Sequence, residues 1–163
     1  MIKCLRVDHR LLHGQVAFSW TTALGADCIL IANDDVMNDA MRKTTIKLAK
    51  PSGVKLVIKT VADAIEALNS GVTDKYKLFI VVESIEDAYQ IATHCQQVKA
   101  VNLGGTKARE GTRSISRAVN VNPDEEKRIQ ELLDAGMEVE IRMIPVDKSI
   151  DARTALREGG GIK

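Results

Sequence analysis

Two arginines, an aspartate and two histidines fall within eight residues near the start of the chain. The segment reads Arg6-Val7-Asp8-His9-Arg10-Leu11-Leu12-His13 and continues as Gly14-Gln15-Val16. Guanidinium groups beside the free N–H groups of a helix start make an anion site. An imidazole inside such a site is a nucleophile as well as a ligand. His13 so placed would accept a phosphoryl group and pass it on. Three requirements follow. The imidazole must be neutral to attack, and the nearby cation Arg10 disfavours imidazolium. The moving phosphoryl oxygens need positive charge already in place, because phosphoryl transfer is mostly positioning and electrostatics. Arg10, Arg6 and the N–H groups of Gly14, Gln15 and Val16 are the candidates. One ring nitrogen must be held as a donor so that the other attacks, a task for Asp8 or for a backbone carbonyl. Gly14 lets the backbone come close to phosphate.

The rest of the chain must place that segment at an exposed edge. Ile2 to Val7, Cys28 to Ala32, Val54 to Ile58, Leu78 to Val82 and Ala100 to Leu103 read as short buried strands. Helical patterns lie between them. Val16/Ala17/Trp20/Ala23/Leu24 form one stripe, closed by Gly25. Met37/Ala40/Met41/Thr44/Leu48 form a second, halted by Pro51. Val61/Ala64/Ile65/Leu68 and Ile85/Ala88/Tyr89/Ala92/Cys95 supply two more. A further helix starts at Asn122-Pro123 with Asp124, Glu125 and Glu126 in its first turn, and ends at Gly136. Glu138 to Ile144 reads as a last strand, stopped at Pro145.

Strict alternation predicts an α/β fold: an open, mostly parallel sheet with helices on both faces. Residues 112–121, reached by a short loop, are expected to pair antiparallel or at an edge. At 163 residues the chain reads as a single domain over 1–163, with 159–163 a frayed tail. In such sheets ligands bind outside the carboxyl ends of the strands. His13 falls there.

Composition narrows the function. A net charge of +1 argues against nucleic-acid binding, and aromatics at 3% leave an aliphatic core. Cys4, Cys28 and Cys95 read as buried free thiols of a reducing compartment. Neither a signal peptide nor an apolar span is visible, so the expected location is the cytoplasm, from which the chain could still dock on a membrane partner at the inner face of the membrane. No G-x-x-x-x-G-K-[ST] occurs, which makes a phosphorylated protein the more natural donor than a nucleotide.

Other constellations have plainer readings beside functional ones. Asp34-Asp35 resemble the acidic pair of a receiver domain, phosphorylated on aspartate; helix capping explains them as well. Ser84 either donates to phosphate or caps the helix before Ile85. His9 and His13, four apart, lack a third ligand nearby, so no metal site is expected. His94 reads as a surface residue. Lys107, Arg109, Arg113 and Arg117 are either solvated or a docking rim for an acidic partner. A non-catalytic anion-binding module remains a further alternative.

The opening segment also resembles the IIB component of the mannose/fructose/sorbose family of the bacterial sugar phosphotransferase system. That family begins with a strand followed by R-[IV]-D-x-R-[LF]-[IL]-H-G-Q-V, matched here from Arg6 to Val16. His9 stands where the pattern carries an acidic or small polar residue. Ala32-Asn33-Asp34-Asp35, Asn102-Leu103-Gly104-Gly105 and Ile144-Pro145-Val146-Asp147 look like later segments of the family. The resemblance implies that His13 is the phosphorylated histidine, Arg10 the phosphate-binding arginine and Asp8 part of the same loop. It further implies a IIA phosphohistidine as donor and a sugar of the mannose, fructose, sorbose or amino-sugar class as acceptor. That sugar would be held by membrane IIC and IID subunits, and no dissociable cofactor is needed. A homo-oligomer is left open.

Overall fold

The computed structural model describes residues 1–159, the side chain of Gln15 excepted. In chain order the first half runs β1 (Ile2–Asp8), α1 (Gly14–Leu24), β2 (Cys28–Ala32), a 3-10 turn (Val36–Asn38), α2 (Ala40–Leu48), β3 (Lys55–Lys59), α3 (Val61–Ser70) and β4 (Leu78–Val82). The second half runs α4 (Ile85–His94), β5 (Ala100–Gly105), β6 (Arg113–Ser114), β7 (Asn120–Val121), α5 (Pro123–Asp134), β8 (Glu138–Ile141), β9 (Ile150–Asp151) and α6 (Ala152–Glu158).

The main sheet has the order β3-β2-β4-β1-β5-β8-β9. All its pairings are parallel except β8 with β9. Every residue of β2 and β4 is buried, as expected of strands covered on both faces. On one face Leu5, Val7, Leu30 and Ile80 pack with residues of α3, α4, α5 and α6. On the other, Ile29, Ile31, Phe79 and Val81 pack beneath α1 and α2. Helix α1, leaving β1, therefore goes to one face, while α4, leaving the neighbouring β4, goes to the other. Strand ends whose connections diverge open a crevice between them, and that crevice is where ligands bind in such sheets.

Three expectations are corrected in detail. Residues 112–121 do pair antiparallel, but with themselves rather than as one strand. They turn back on themselves, with Ile115 N–H donating to Val119 O at 2.9 Å, and form the separate antiparallel ribbon β6-β7. Ile115, Val119 and Val121 thereby reach the core together. The antiparallel member of the main sheet is β9, which sequence periodicity does not mark.

Helix α2 is rotated from the predicted stripe. The 3-10 turn resets the phase, burying Val36. A fresh start at Ala40, where Asp39 accepts the Arg42 N–H at 3.0 Å, then turns Ile46 inward. Met41 and Leu48 are left 80% and 82% exposed. Finally, Gly159 is a buried residue closing α6 rather than part of a frayed end, and 160–163 lie outside the described residues.

The predicted start of α5 is a complete capping box. Asn122 Oδ1 accepts the Glu125 N–H at 2.8 Å, and Glu125 Oε1 accepts the Asn122 N–H at 3.0 Å. Asn122→Ala is expected to lower unfolding free energy by about 1 kcal/mol, read by urea denaturation. An unchanged midpoint would contradict this reading of the cap.

Candidate active site

The central strand β1 ends at Asp8, and the chain turns at once. The Leu11 N–H donates to Asp8 O at 2.8 Å. Leu11 has φ +57, the one non-glycine in the left-handed region among the described residues. A leucine held there is strained, and what holds it is packing. Leu11 and Leu12 are buried in the cluster with Ala17 and Trp20. The loop is pinned from beneath by two leucines while its polar side chains stay on top.

His13 is the residue before α1, extended at φ −153 and ψ 138, and no side chain caps the helix. The first turn of α1 carries no acidic residue. Its leading N–H groups therefore keep their affinity for an external anion. Gly14, at φ +35, is exposed, and a Cβ built on it would meet no atom within 4 Å. There is open space directly over the helix start.

Asp8 organises the ring. Its Oδ1 accepts the Arg10 N–H at 3.0 Å, and its Oδ2 lies 3.1 Å from His13 Nε2. The same Oδ2 accepts from Arg6 Nη2 at 3.2 Å. Arg6 is 1% exposed. Its Nη1 also donates to Asn102 Oδ1 at 2.8 Å and Arg142 O at 3.1 Å, and its Nη2 to Met143 O at 2.9 Å. Trp20 lies under the guanidinium, 5.0 Å from its centroid, and donates its own N–H to Met143 O at 2.9 Å. Burial pulls the Arg6 guanidinium below the ordinary arginine value, and the charge of Asp8 pushes back. Asn102 in turn donates to Glu140 Oε2 at 2.8 Å. Burial opposes the Glu140 charge, but hydrogen bonds from Ser149, Asn102 and Arg142 outweigh it and hold this carboxyl below its usual range. A polar chain, buried at Asn102, Arg6 and Asp8 and half-buried at its two ends, thus runs Glu140, Asn102, Arg6, Asp8, His13.

The geometry sorts the residues expected from sequence. Asp8, Arg10, His13 and Gly14 come together at the carboxyl edge, with the Arg10 side chain exposed. Arg6 does not face an incoming phosphate. Both of its terminal nitrogens are spent on Asp8, Asn102 and the Arg142 and Met143 carbonyls, so its charge acts on Asp8. Ser84 lies at the end of the adjacent β4, but its Oγ accepts the Asp87 N–H at 3.1 Å and caps α4. Burial pushes the Asp87 carboxyl up to about 6 against the hydrogen bond from Ser84, with Asp34, Glu83 and Glu86 adding to the rise. That corner gathers Asp34, Glu83, Glu86 and Asp87, with Arg42 paired to Glu83. Gln15 contributes its place at the start of α1.

Asp34 accepts the Val61 N–H at 2.9 Å and so serves α3, while Asn33 accepts that of Val36 at 2.9 Å. The capping predicted for the acidic pair is thus divided among Asn33, Asp34 and Asp39. His94 is exposed. Arg109 and Arg113 pair with Glu125 and Glu126 at 2.7 Å each. Cys28 and Cys95 are buried and Cys4 half-buried. Burial raises all three thiols, Cys4 to about 12, so none offers a thiolate.

Sequence reasoning gave no site role to Asn102, Glu140, Trp20 or Gly104. A Cβ on Gly104 would strike the Arg6 guanidinium, so only glycine leaves room for it. The available signal was Asn102, a polar residue set between Val101 and Leu103 in an apolar strand.

Comparison with known proteins bears on this arrangement. The family model described as PTS system sorbose subfamily IIB component matches residues 2–160. The chain is 32% identical over 152 residues to the fructose-specific EIIB component of Bacillus subtilis, covering 93% of each. It is 28% identical over 150 residues to the mannose-specific EIIAB component of Escherichia coli, covering 92% of this chain and 46% of that protein. The crystal structure of the IIBSor domain of the sorbose permease from Klebsiella pneumoniae superposes with a TM-score of 0.91 at 28% identity, covering 97% of both chains. The chain belongs to the sorbose subfamily of phosphotransferase-system IIB components.

Proposed function

We propose that His13 carries phosphate on Nδ1, taking it from a IIA phosphohistidine and giving it to a sugar held by membrane IIC and IID subunits. The observation that carries the reading is the 3.1 Å contact between His13 Nε2 and Asp8 Oδ2. A carboxylate accepts only, so Nε2 bears the proton and Nδ1 keeps its lone pair. Nδ1 attacks phosphorus as the bond from phosphorus to the donor's ring nitrogen breaks and its electron pair returns to that ring. In the second transfer the sugar hydroxyl oxygen attacks phosphorus, the P–Nδ1 bond breaks with its electron pair returning to the His13 ring, and the hydroxyl proton passes to water, leaving His13 neutral. Throughout, the Nε2–H bond to Asp8 persists.

Arg10 and the leading N–H groups of α1 at Gly14, Gln15 and Val16 face the phosphoryl oxygens, where charge develops. Arg6 is a positioning residue: its Nη2 contact at 3.2 Å holds Asp8 aimed at the imidazole. The specificities of the relatives, for sorbose, fructose and mannose, support a sugar of that class, and the joined EIIAB component of Escherichia coli supports a IIA donor. No helix among the described residues is long and apolar enough to cross a membrane, which fits a IIB chain that works against separate membrane subunits.

Incubation with a labelled IIA-type phosphodonor tests the reading directly. The wild type is expected to take up label that survives base and is lost in acid, and His13→Ala to take up none. Label on His13→Ala would refute it. Asp8→Asn is expected to slow uptake by about a hundredfold or more, because an amide can hold the wrong tautomer. It should also cost on the order of 3 kcal/mol of stability, since Arg6 loses its counter-charge. A wild-type uptake rate in this variant would remove Asp8 from the mechanism. Gly104→Ala is expected to destabilise by about 1–3 kcal/mol and to slow uptake, by forcing Arg6 away from Asp8. Unchanged uptake with lowered stability would show that Arg6 is structural only.

A further inference from the structure

Between Asp39 and Asp63 the chain holds six cations, Arg42, Lys43, Lys47, Lys50, Lys55 and Lys59, and no carboxylate, although the whole chain is balanced at +1. This stretch forms α2 and β3, the latter an edge of the sheet. Arg42 pairs with Glu83 at 2.9 Å. None of the five lysines enters an ion pair among the described residues. Lys43, Lys47, Lys50 and Lys55 border a groove of about 520 Å³ floored by Val54 and Leu56. Beside it stands the outward face of α2, where Met41, Thr44, Thr45 and Leu48 follow helical spacing and all four are exposed.

Charged edges discourage strand pairing, which accounts for Lys55 and Lys59. It accounts neither for Lys43, Lys47 and Lys50 on a helix nor for two large apolar side chains displayed among them. From this juxtaposition we propose that the α2–β3 face rests on an anionic phospholipid surface, with Met41 and Leu48 entering the interface and the lysines meeting headgroup phosphates. Lysine on a flexible stem is depleted at protein–protein interfaces, which favour Arg, Tyr and Trp. It is the usual cation of interfacial helices, where its stem lies along the apolar boundary. No aromatic residue occurs between Met41 and Thr60. Charge and residue type together favour lipid over an acidic protein. The N-terminal end of α2 lies near the carboxyl ends of β2 and β4, through the contacts of Arg42 and Asn33 with Glu83. A chain seated on this face would hold its His13 edge beside the membrane.

Sedimentation of the full chain with vesicles tests the proposal. The wild type is expected to partition onto phosphatidylcholine vesicles containing about a third phosphatidylglycerol, to ignore pure phosphatidylcholine, and to be released by about 0.5 M salt. Lys43→Gln/Lys47→Gln/Lys50→Gln should weaken partitioning about fivefold per lysine, roughly a hundredfold together. Met41→Ser/Leu48→Ser should weaken it while leaving its salt dependence. Apart from the half-buried Lys43, both variants alter exposed side chains, and unchanged circular dichroism would confirm their folds. Label uptake by His13 from a soluble donor should be unaffected in either, so failure here is separable from failure of the phosphocarrier reading. Absence of wild-type partitioning, or equal partitioning by the lysine variant, would overturn the proposal. So would binding confined to membranes that contain the permease, which would assign the face to an acidic protein.

Discussion

One oxygen of one carboxylate sets the chemistry of this chain. Asp8 Oδ2 lies within hydrogen-bond distance of both Arg6 and His13, and Asp8 is only 4% exposed. A buried carboxylate is tolerated only when paired and hydrogen-bonded. Arg6 supplies the pairing from below and thereby fixes an acceptor under the imidazole. The Arg6 charge must itself be matched, and it is surrounded: Asn102 and two backbone carbonyls take its protons, and Trp20 covers its face. Removing one member would leave a neighbour charged and alone in a low-dielectric interior. The relay is therefore as much a condition for the folded loop as a condition for the reaction.

The arrangement divides into two layers. The lower one is polar and largely buried, built from β1, β5, β8 and α1, and it fixes where the imidazole sits and, in the proposed mechanism, which nitrogen carries the proton. The upper layer is exposed and lightly furnished: Arg10, the bare start of α1, and Gly14 with open space above it. The proposed carrier, meeting a protein donor and then a sugar on a membrane subunit, needs that contrast. Rigid support below sets the tautomer, while an accessible surface above admits two different visitors.

Much of this was legible in the sequence because it is local. Apolar runs marked the strands that build the parallel part of the sheet, and the capping box at Asn122 appeared as read. Five of the six helices were marked, as was the position of His13 at a carboxyl edge. Family resemblance added the expectation of IIA, IIC and IID partners and of a phosphohistidine. What escaped was non-local. Arg6 was read as a phosphate ligand because its own partners lie 96 and 136 positions away, at Asn102 and Arg142. Strand β8 ends at Ile141 rather than Ile144 because the carbonyls of Arg142 and Met143 turn to Arg6. The apolar stripe of α2 faced outward because a 3-10 turn shifted the helical phase, an adjustment no periodicity within the helix reveals. β9 and α6 are too short to show a pattern at all.

The central claim is that Asp8 chooses the attacking nitrogen. Phosphorylating protein labelled with ¹⁵N-histidine and locating phosphorus by ¹⁵N–³¹P coupling measures that choice without reference to rate. Phosphorus on Nδ1 of His13, with Nε2 still protonated toward Asp8, is the predicted result. Phosphorus on Nε2 would mean that the Asp8 contact is broken before transfer, and the account would be wrong at its root.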